Sequence, residues 1–189
     1  SVDVAAVSYP WSVAIAELNS DGKPDLVVAS ETWNAAAVLL GNGDGTFGPV
    51  TNYSTGLDPR FVVTGDMNGD GRLDLVAANS ASHSVAILLG NGDGTFAPKT
   101  EFPTAQYPGA VAIGDLDRNG MLDVVVSSSG PAGAVSILLG NGDGTLGARV
   151  DRVANWANFV ALRDLDGDGR LDLLTTNVDS NAVSVALGR

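Results

Sequence analysis

Four short stretches of the chain place oxygen ligands at one fixed spacing. They read ELNSDGKPD from Glu17, DMNGDGRLD from Asp66, DLDRNGMLD from Asp115 and DLDGDGRLD from Asp164. Oxygen donors on alternate residues of a tight loop, with glycine at position six to make the turn, suit a hard cation of calcium's size. The side-chain candidates are Glu17, Asn19, Asp21 and Asp25; Asp66, Asn68, Asp70 and Asp74; Asp115, Asp117, Asn119 and Asp123; and Asp164, Asp166, Asp168 and Asp172. The carbonyls of Lys23, Arg72, Met121 and Arg170, at position seven, complete the expected sets. The loops follow an EF-hand only through position six. Position twelve, where an EF-hand carries a bidentate glutamate, is Val28, Ala77, Val126 or Thr175, and the aspartate at position nine takes over. Asp, Asn and Gly also build ordinary turns, but a turn needs two or three such residues and not acids at one, five or three, and nine. The pattern predicts up to four calcium ions per chain, held most tightly by the fourth loop and least by the first, where Glu17 replaces aspartate.

Charge points the same way. The four loops hold 13 of the 22 acidic residues in a chain of formal charge −12, and four divalent ions would bring that charge to −4. Without cations such clusters repel themselves. The acidic balance, with a sequence pI near 4.1, excludes nucleic acid and anionic membrane surfaces as natural partners. No apolar run suits membrane insertion, and the opening SVDVAAVSYP has none of the marks of a signal peptide, so a signal would already have been removed. With no cysteine, neither disulfides nor thiolate metal sites arise.

The loops recur every 49 residues, and a second motif follows the first three of them: LLGNGDGTF from Leu39 and Leu88, and LLGNGDGTL from Leu138. The glycine-rich stretch lacks the lysine and following helix of a phosphate loop, and reads as a hairpin turn. Between the motifs lie short valine-rich segments bounded by Gly, Pro and Asn, which predict strands at 12–18, 25–30, 35–41 and 46–55 in the first repeat. Several are apolar on both faces, so each small sheet is covered on both sides. The predicted fold is therefore all-β: a single domain over residues 1–189, a β-propeller of four-stranded antiparallel blades with four repeats per chain.

Small residues in the first strands (Ala14 and Ala16, Val63 and Gly65, Ala112 and Gly114) suit strands nearest a crowded axis. Arg163 breaks that run and is expected to pair with a carboxylate of the acidic loop beside it. Residues 1–8 align with a fourth strand and are expected to pair with 182–187, completing the fourth blade. Within one chain this closes a four-bladed ring; between two chains it makes a head-to-tail, eight-bladed homodimer, which is the preferred reading.

The pairing of DMNGDGRLDLVAAN with SVAILLGNGDGTF resembles the FG-GAP and VCBS class of repeats, four times over essentially the whole chain. The resemblance implies a propeller with calcium in the loops between first and second strands, as in integrin α heads and propeller lectins. It also implies an extracellular, secreted or periplasmic setting.

In that topology the acidic loops and glycine-rich turns share one face, and the loops joining strands two to three and four to one share the other. The second set varies most. Tyr9, Asp58, Tyr107 and Trp156 occupy one equivalent position, and Trp11, Arg60, Gly109 and Asn158 another; Glu31, Trp33, Asn34 and His83 lie in the loops between second and third strands. Aromatics beside amide and charged groups suit carbohydrate stacking or a protein hot spot. The expected ligand-binding set is Tyr9, Trp11, Trp33, Asn34, Arg60, His83, Tyr107, Trp156 and Asn158, and the expected function is a calcium-stabilised binding module for carbohydrate or protein rather than an enzyme. Polysaccharide lyase chemistry around Arg60 and Asp58 is the rival, although His83, the one histidine, has no base or nucleophile beside it. A structural or engineered propeller fragment with no ligand of its own is the third reading.

Overall fold

The computed structural model describes residues 7–131, 133–153 and 156–188, and every regular element among them is a β-strand. The first sheet runs β1 (Pro10–Ala16), β2 (Asp25–Ser30), β3 (Ala35–Leu39) and β4 (Thr51–Ser54). The second is β5 (Pro59–Gly65), β6 (Asp74–Asn79), β7 (Ser84–Leu88) and β8 (Thr100–Pro103). The third is β9 (Pro108–Gly114), β10 (Asp123–Ser128), β11 (Ala134–Leu138) and β12 (Val150–Val153). The fourth holds β13 (Ala157–Arg163), β14 (Asp172–Asn177) and β15 (Ala182–Ala186). Each sheet is an antiparallel meander in chain order.

The second and third strands of the first three sheets are almost wholly buried, as their apolar composition on both faces requires. Apolar layers lie between successive sheets. Val27, Ala29, Ala36 and Val38 of the first sheet meet Val62, Leu75, Ala86 and Leu88 of the second. Val76, Ala78, Val85 and Ile87 then meet Val111, Val124, Val126 and Leu138 of the third. A smaller layer around Val125, Val135 and Val160 joins the third to the fourth.

The first strands β1, β5, β9 and β13 pack on one another in order. Their small residues are needed there. A Cβ on Gly65 would lie 2.4 Å from Ile113 Cδ1, and one on Gly114 would lie 2.5 Å from Leu171 Cδ1. Arg163, in the equivalent place on β13, is exposed, and no carboxylate among the described residues pairs with it, contrary to the expected ion pair.

Strand boundaries differ from expectation in one systematic way. The fourth strand is the four residues of β4, not 46–55: after the turn, Phe47 bridges Gly41 and the Gly48 N–H donates to the Leu40 carbonyl at 2.8 Å, and Pro49, which has no N–H to donate, then interrupts the ladder. The first strand begins earlier, at Pro10, and stops at Ala16 where the acidic loop starts; the third ends at Leu39. The expected strand over residues 1–8 falls outside the described residues except for Val7 and Ser8. Val7 packs against Val28, Ala37 and Leu39 of the first sheet, and the Ser8 carbonyl accepts the Ser30 hydroxyl at 2.8 Å.

Candidate functional site

Each acidic loop is wound around its own carboxylates. The position-one acid caps the turn: Asp66 Oδ1 accepts the N–H of Gly69 at 2.7 Å, and its Oδ2 accepts that of Gly71 at 2.7 Å. Asp164 does the same for Gly167 and Gly169 at 2.7 and 2.9 Å, and Asp115 takes the N–H groups of Asn119 and Gly120 at 3.0 and 2.8 Å. Glu17 holds only Asn19 and Asp21, through one oxygen, at 3.1 Å each. Side chains at three and five each accept the N–H two residues on, as Asp117 does from Asn119 at 3.2 Å and Asn119 from Met121 at 2.7 Å. The N–H groups of Lys23, Arg72 and Arg170 likewise point to position five.

The position-nine aspartate does more than its spacing announced. Asp25, Asp74, Asp123 and Asp172 are fully buried, and each carboxylate takes two backbone N–H groups. One comes from position two of its loop, Leu18, Met67, Leu116 or Leu165, at 2.8–2.9 Å. The other comes from Gly41, Gly90, Gly140 or Gly188, past the end of the third strand, at 2.7–2.8 Å. Burial pushes the carboxyls of Asp74 and Asp123 above the ordinary value, against the pull of these two bonds.

The four loops are not equivalent. Asp115, Asp117 and Asp123, and likewise Asp164, Asp166 and Asp172, each bring three carboxylate oxygens within 4.8 Å of one another. Two ligands on opposite sides of an ion at about 2.4 Å stand about 4.8 Å apart, so each triad can hold a metal ion with oxygen ligands alone. In the first two loops position three is Asn19 or Asn68, and the position-five acid is turned to a neighbouring cation. Lys23 Nζ lies 3.3 Å from Asp21. Arg72 grips Asp70 through two nitrogens and holds its carboxyl down at about 2. Asp168, the extra acid of the fourth loop, stands apart from its triad, with Arg170 3.8 Å away. Position three, not position five, separates the loops.

At the other end of the strands, each first strand carries a bulge. Trp11, Arg60 and Asn158 are extra residues in β1, β5 and β13, and Gly109 and Ala110 stand together opposite Ser127 in β9. Just before each bulge, Tyr9, Asp58, Tyr107 and Trp156 all adopt positive φ, between 51° and 57°. The bulges turn Trp11, Arg60 and Asn158 into a cavity of about 480 Å³ that Tyr107, Phe61 and Phe159 also line. Arg60 lies 3.8 Å over the Trp11 ring, and its Nη2 donates to Asp58 Oδ2 at 2.8 Å. Trp11 Nε1 donates to Glu31 at 2.6 Å. An arginine clamped by a carboxylate and stacked on an indole is rigid before any ligand arrives.

Of the expected ligand-binding residues, Trp11, Arg60, Tyr107 and Asn158 line this cavity, whereas Tyr9, Trp33, Asn34, His83 and Trp156 do not. Asn34 and His83 have another task. Both sit at positive φ in the loop between second and third strands. Asn34 Oδ1 accepts the Asp58 N–H at 2.9 Å and His83 Nδ1 the Tyr107 N–H at 3.1 Å, holding the next repeat's strained residue in place. His83 also meets the Tyr107 ring edge-on at 4.8 Å. Phe61 and Phe159, which sequence reading missed, face each other edge-on at 5.8 Å in the cavity wall.

A family model described as FG-GAP-like repeat matches residues 17–77, 66–126 and 122–175. No curated protein matches. Among solved structures, the chain is similar to one titled "Crystal structure of BBS1N in complex with ARL6DN, soaked with mercury", with a TM-score of 0.58 and 14% identity over 95% of this chain. The match spans 57% of that protein's chain, and at this identity the likeness is one of fold.

Proposed function

The chain belongs to the FG-GAP-like repeat family, and from that premise we propose that it is a propeller-type binding module, stabilised by calcium and recognising carbohydrate through the cavity at the far end of its strands. The observation that carries this reading is the convergence of Trp11, Arg60, Tyr107 and Asn158, from the first strands of four sheets or the loop ahead of one, on one cavity. Sugars present apolar ring faces and peripheral hydroxyls, which suit an aromatic wall with fixed amide and guanidinium donors. A protein loop is the alternative occupant of the same cavity.

Calcium fits the donor sets of the third and fourth loops, which offer only oxygen ligands, three of them carboxylates. The ion would offset most of the triad's negative charge and tie the position-one cap to the buried position-nine aspartate. Its effect on the cavity is indirect, since the acidic loops lie at the opposite ends of the first strands. The setting that goes with this reading is extracellular, where calcium sites of about 10⁻⁴–10⁻³ M affinity are filled.

A glycan array probed in calcium tests the proposal, with Trp11→Ala and Asn158→Ala as cavity variants. Binding that both variants abolish, with unchanged melting curves, is the expected result. New unsaturated sugar ends released from a polysaccharide would replace this reading with a lyase, and a protein that binds no glycan would leave the carbohydrate assignment without support.

A further inference from the structure

Tyr107, which lines the cavity, is held at its two ends by different sheets. Its carbonyl accepts the Ser129 N–H, from the loop after β10 of its own sheet, at 3.0 Å, while its N–H donates to His83 Nδ1, in the loop between β6 and β7, at 3.1 Å. The loop that carries His83 also holds Ser80, another lining residue, whose N–H donates to the Asp58 carbonyl at 2.8 Å and whose carbonyl accepts the His83 N–H at 3.4 Å. One imidazole therefore joins the second sheet to the third at the cavity wall.

The same seat recurs with different occupants. Asn34 fills it in the first repeat, its Oδ1 accepting the Asp58 N–H at 2.9 Å, and Gly133 stands there in the third, its N–H bonded three residues back as those of Asn34 and His83 are. All three carry positive φ, 51°, 53° and 43°, and the two residues whose N–H groups are accepted, Asp58 and Tyr107, share a φ of 56°. The backbone is thus alike, while the side-chain acceptor is an amide oxygen, an imidazole nitrogen or none. An amide oxygen accepts at any pH. An imidazole nitrogen accepts only while the ring is neutral, here with its proton on Nε2, and histidine as a residue type takes up its second proton between about pH 8 and 5. That proton puts an N–H on Nδ1, so two donors then face each other across the contact.

No carboxylate stands ready to hold the charged ring in place. The charged groups on the segments around the loop are Asp58 and Arg60 at the start of β5, Lys99 and Glu101 at β8, and Arg149 and Asp151 at β12 behind Gln106. They pair with each other, and among the described residues none of these carboxylates lies within 4.0 Å of a His83 ring nitrogen. The Tyr107 phenol is the titratable group in contact, its ring edge-on at 4.8 Å, and that packing tolerates either charge state.

We propose that His83 is a positioning residue for Tyr107 and works as a proton-operated clasp, closed while the ring is neutral and open in mild acid. Once its N–H is released, Tyr107 has less to keep it in the left-handed backbone that a bulky residue adopts only where its surroundings impose it. The cavity wall at Tyr107 is then firm near neutral pH and loose below it, whereas the wall at Arg60, clasped through Asn34, stays firm. His83 is half-buried and Tyr107 48% exposed, so water replaces the lost bond and the fold as a whole is not at stake. The clasp stands whether or not a sugar fills the cavity.

Amide exchange followed by NMR on the full chain in calcium tests it, each rate being referred to the unstructured rate at the same pH. Protection of the Tyr107 N–H should fall about tenfold between about pH 7.5 and 5, the worth of one hydrogen bond, while that of Asp58 holds. Two variants borrow residues from the chain's other repeats, where both types sit at positive φ. His83→Asn should keep Tyr107 protected across the range, and His83→Gly should leave it unprotected throughout. Equal protection of Tyr107 at both pH values overturns the proposal. So does a fall that Asp58 shares or that His83→Asn repeats, because acid would then loosen these loops by another route. No sugar enters the measurement, so a failure of the carbohydrate reading leaves its outcome untouched.

Discussion

Asp123 Oδ1 accepts the N–H of Gly140 at 2.8 Å, while its Oδ2 takes that of Leu116 at 2.8 Å. One buried carboxylate thus fastens the acidic loop to the end of the third strand without any ion. Asp123→Ala should cost roughly 1–3 kcal/mol for each N–H left unpaired, in chelator as well as in calcium. Asp117→Asn, on an exposed side chain, should cost only the calcium-dependent part of the stability. Urea unfolding of both variants in each condition separates the two roles, and equal losses in chelator would contradict them.

The ion-free protein should respond to acid in an unusual direction at first. Burial raises the carboxyls of Asp74 and Asp123 above 3.8, so their contribution to stability is present below the ordinary value and lost as pH rises through the folded value. Asp21, Asp44, Asp70, Asp93 and Asp143 are shifted down, and the stability they contribute is present above 3.8 and lost as pH falls through the lower folded values. Lowering the pH from about 7 toward about 5 in chelator should therefore hold or raise the melting temperature. In calcium the slope should reverse, because the ion needs ionised ligands and its stabilisation fades as they protonate. Thermal melts across that range, with and without calcium, check both signs. A calcium increment that grows on acidification would rule out carboxylate ligation.

The repeat period made the sheets legible, because loops of one pattern 49 residues apart close meanders of one kind. The two ends of those strands were legible in their placement, since antiparallel order alone sorts the loops. Other features leave no mark in composition. A bulge inserts Trp11 or Arg60 into a strand without changing the residue types around it, so the sequence marked variable positions without showing that they turn into one cavity. Positive φ at Tyr9, Tyr107 and Trp156 falls on residues that do not signal it, whereas Asp58 at the same position, and Gly and Asn elsewhere, are of types that do. The inequality of the acidic loops was hidden too: Arg72 and Lys23 read as mere position-seven residues, yet their side chains occupy the position-five acids.

Tyr9 isolates the strain at that position. Its φ is 51° and the residue is 71% exposed, so little packing opposes a change of residue. Tyr9→Gly should raise stability by up to about 1 kcal/mol, the usual cost of a left-handed backbone for a bulky residue less glycine's entropy. Because Tyr9 does not line the cavity, ligand binding should persist. A loss of stability in chemical denaturation would mean that the ring makes contacts its exposure does not reveal.

The first glycine of each glycine-rich turn is there for close approach rather than for turning. A Cβ on Gly90 would lie 2.1 Å from the Leu73 carbonyl oxygen, and Gly41 and Gly140 meet the carbonyls of Pro24 and Leu122 at the same distance. Backbone cannot swing aside as a side-chain tip can. Gly90→Ala should cost about 3 kcal/mol or more, at or beyond the top of the usual overpacking range. Gly71 makes the opposite case, with φ of +81° and nothing within 4 Å of an added Cβ. Gly71→Ala should carry the conformational penalty alone, about 1 kcal/mol. Paired urea unfolding curves decide the order: if Gly71→Ala proves the more damaging, the fastening of the third strand to the acidic loop is looser than these contacts require.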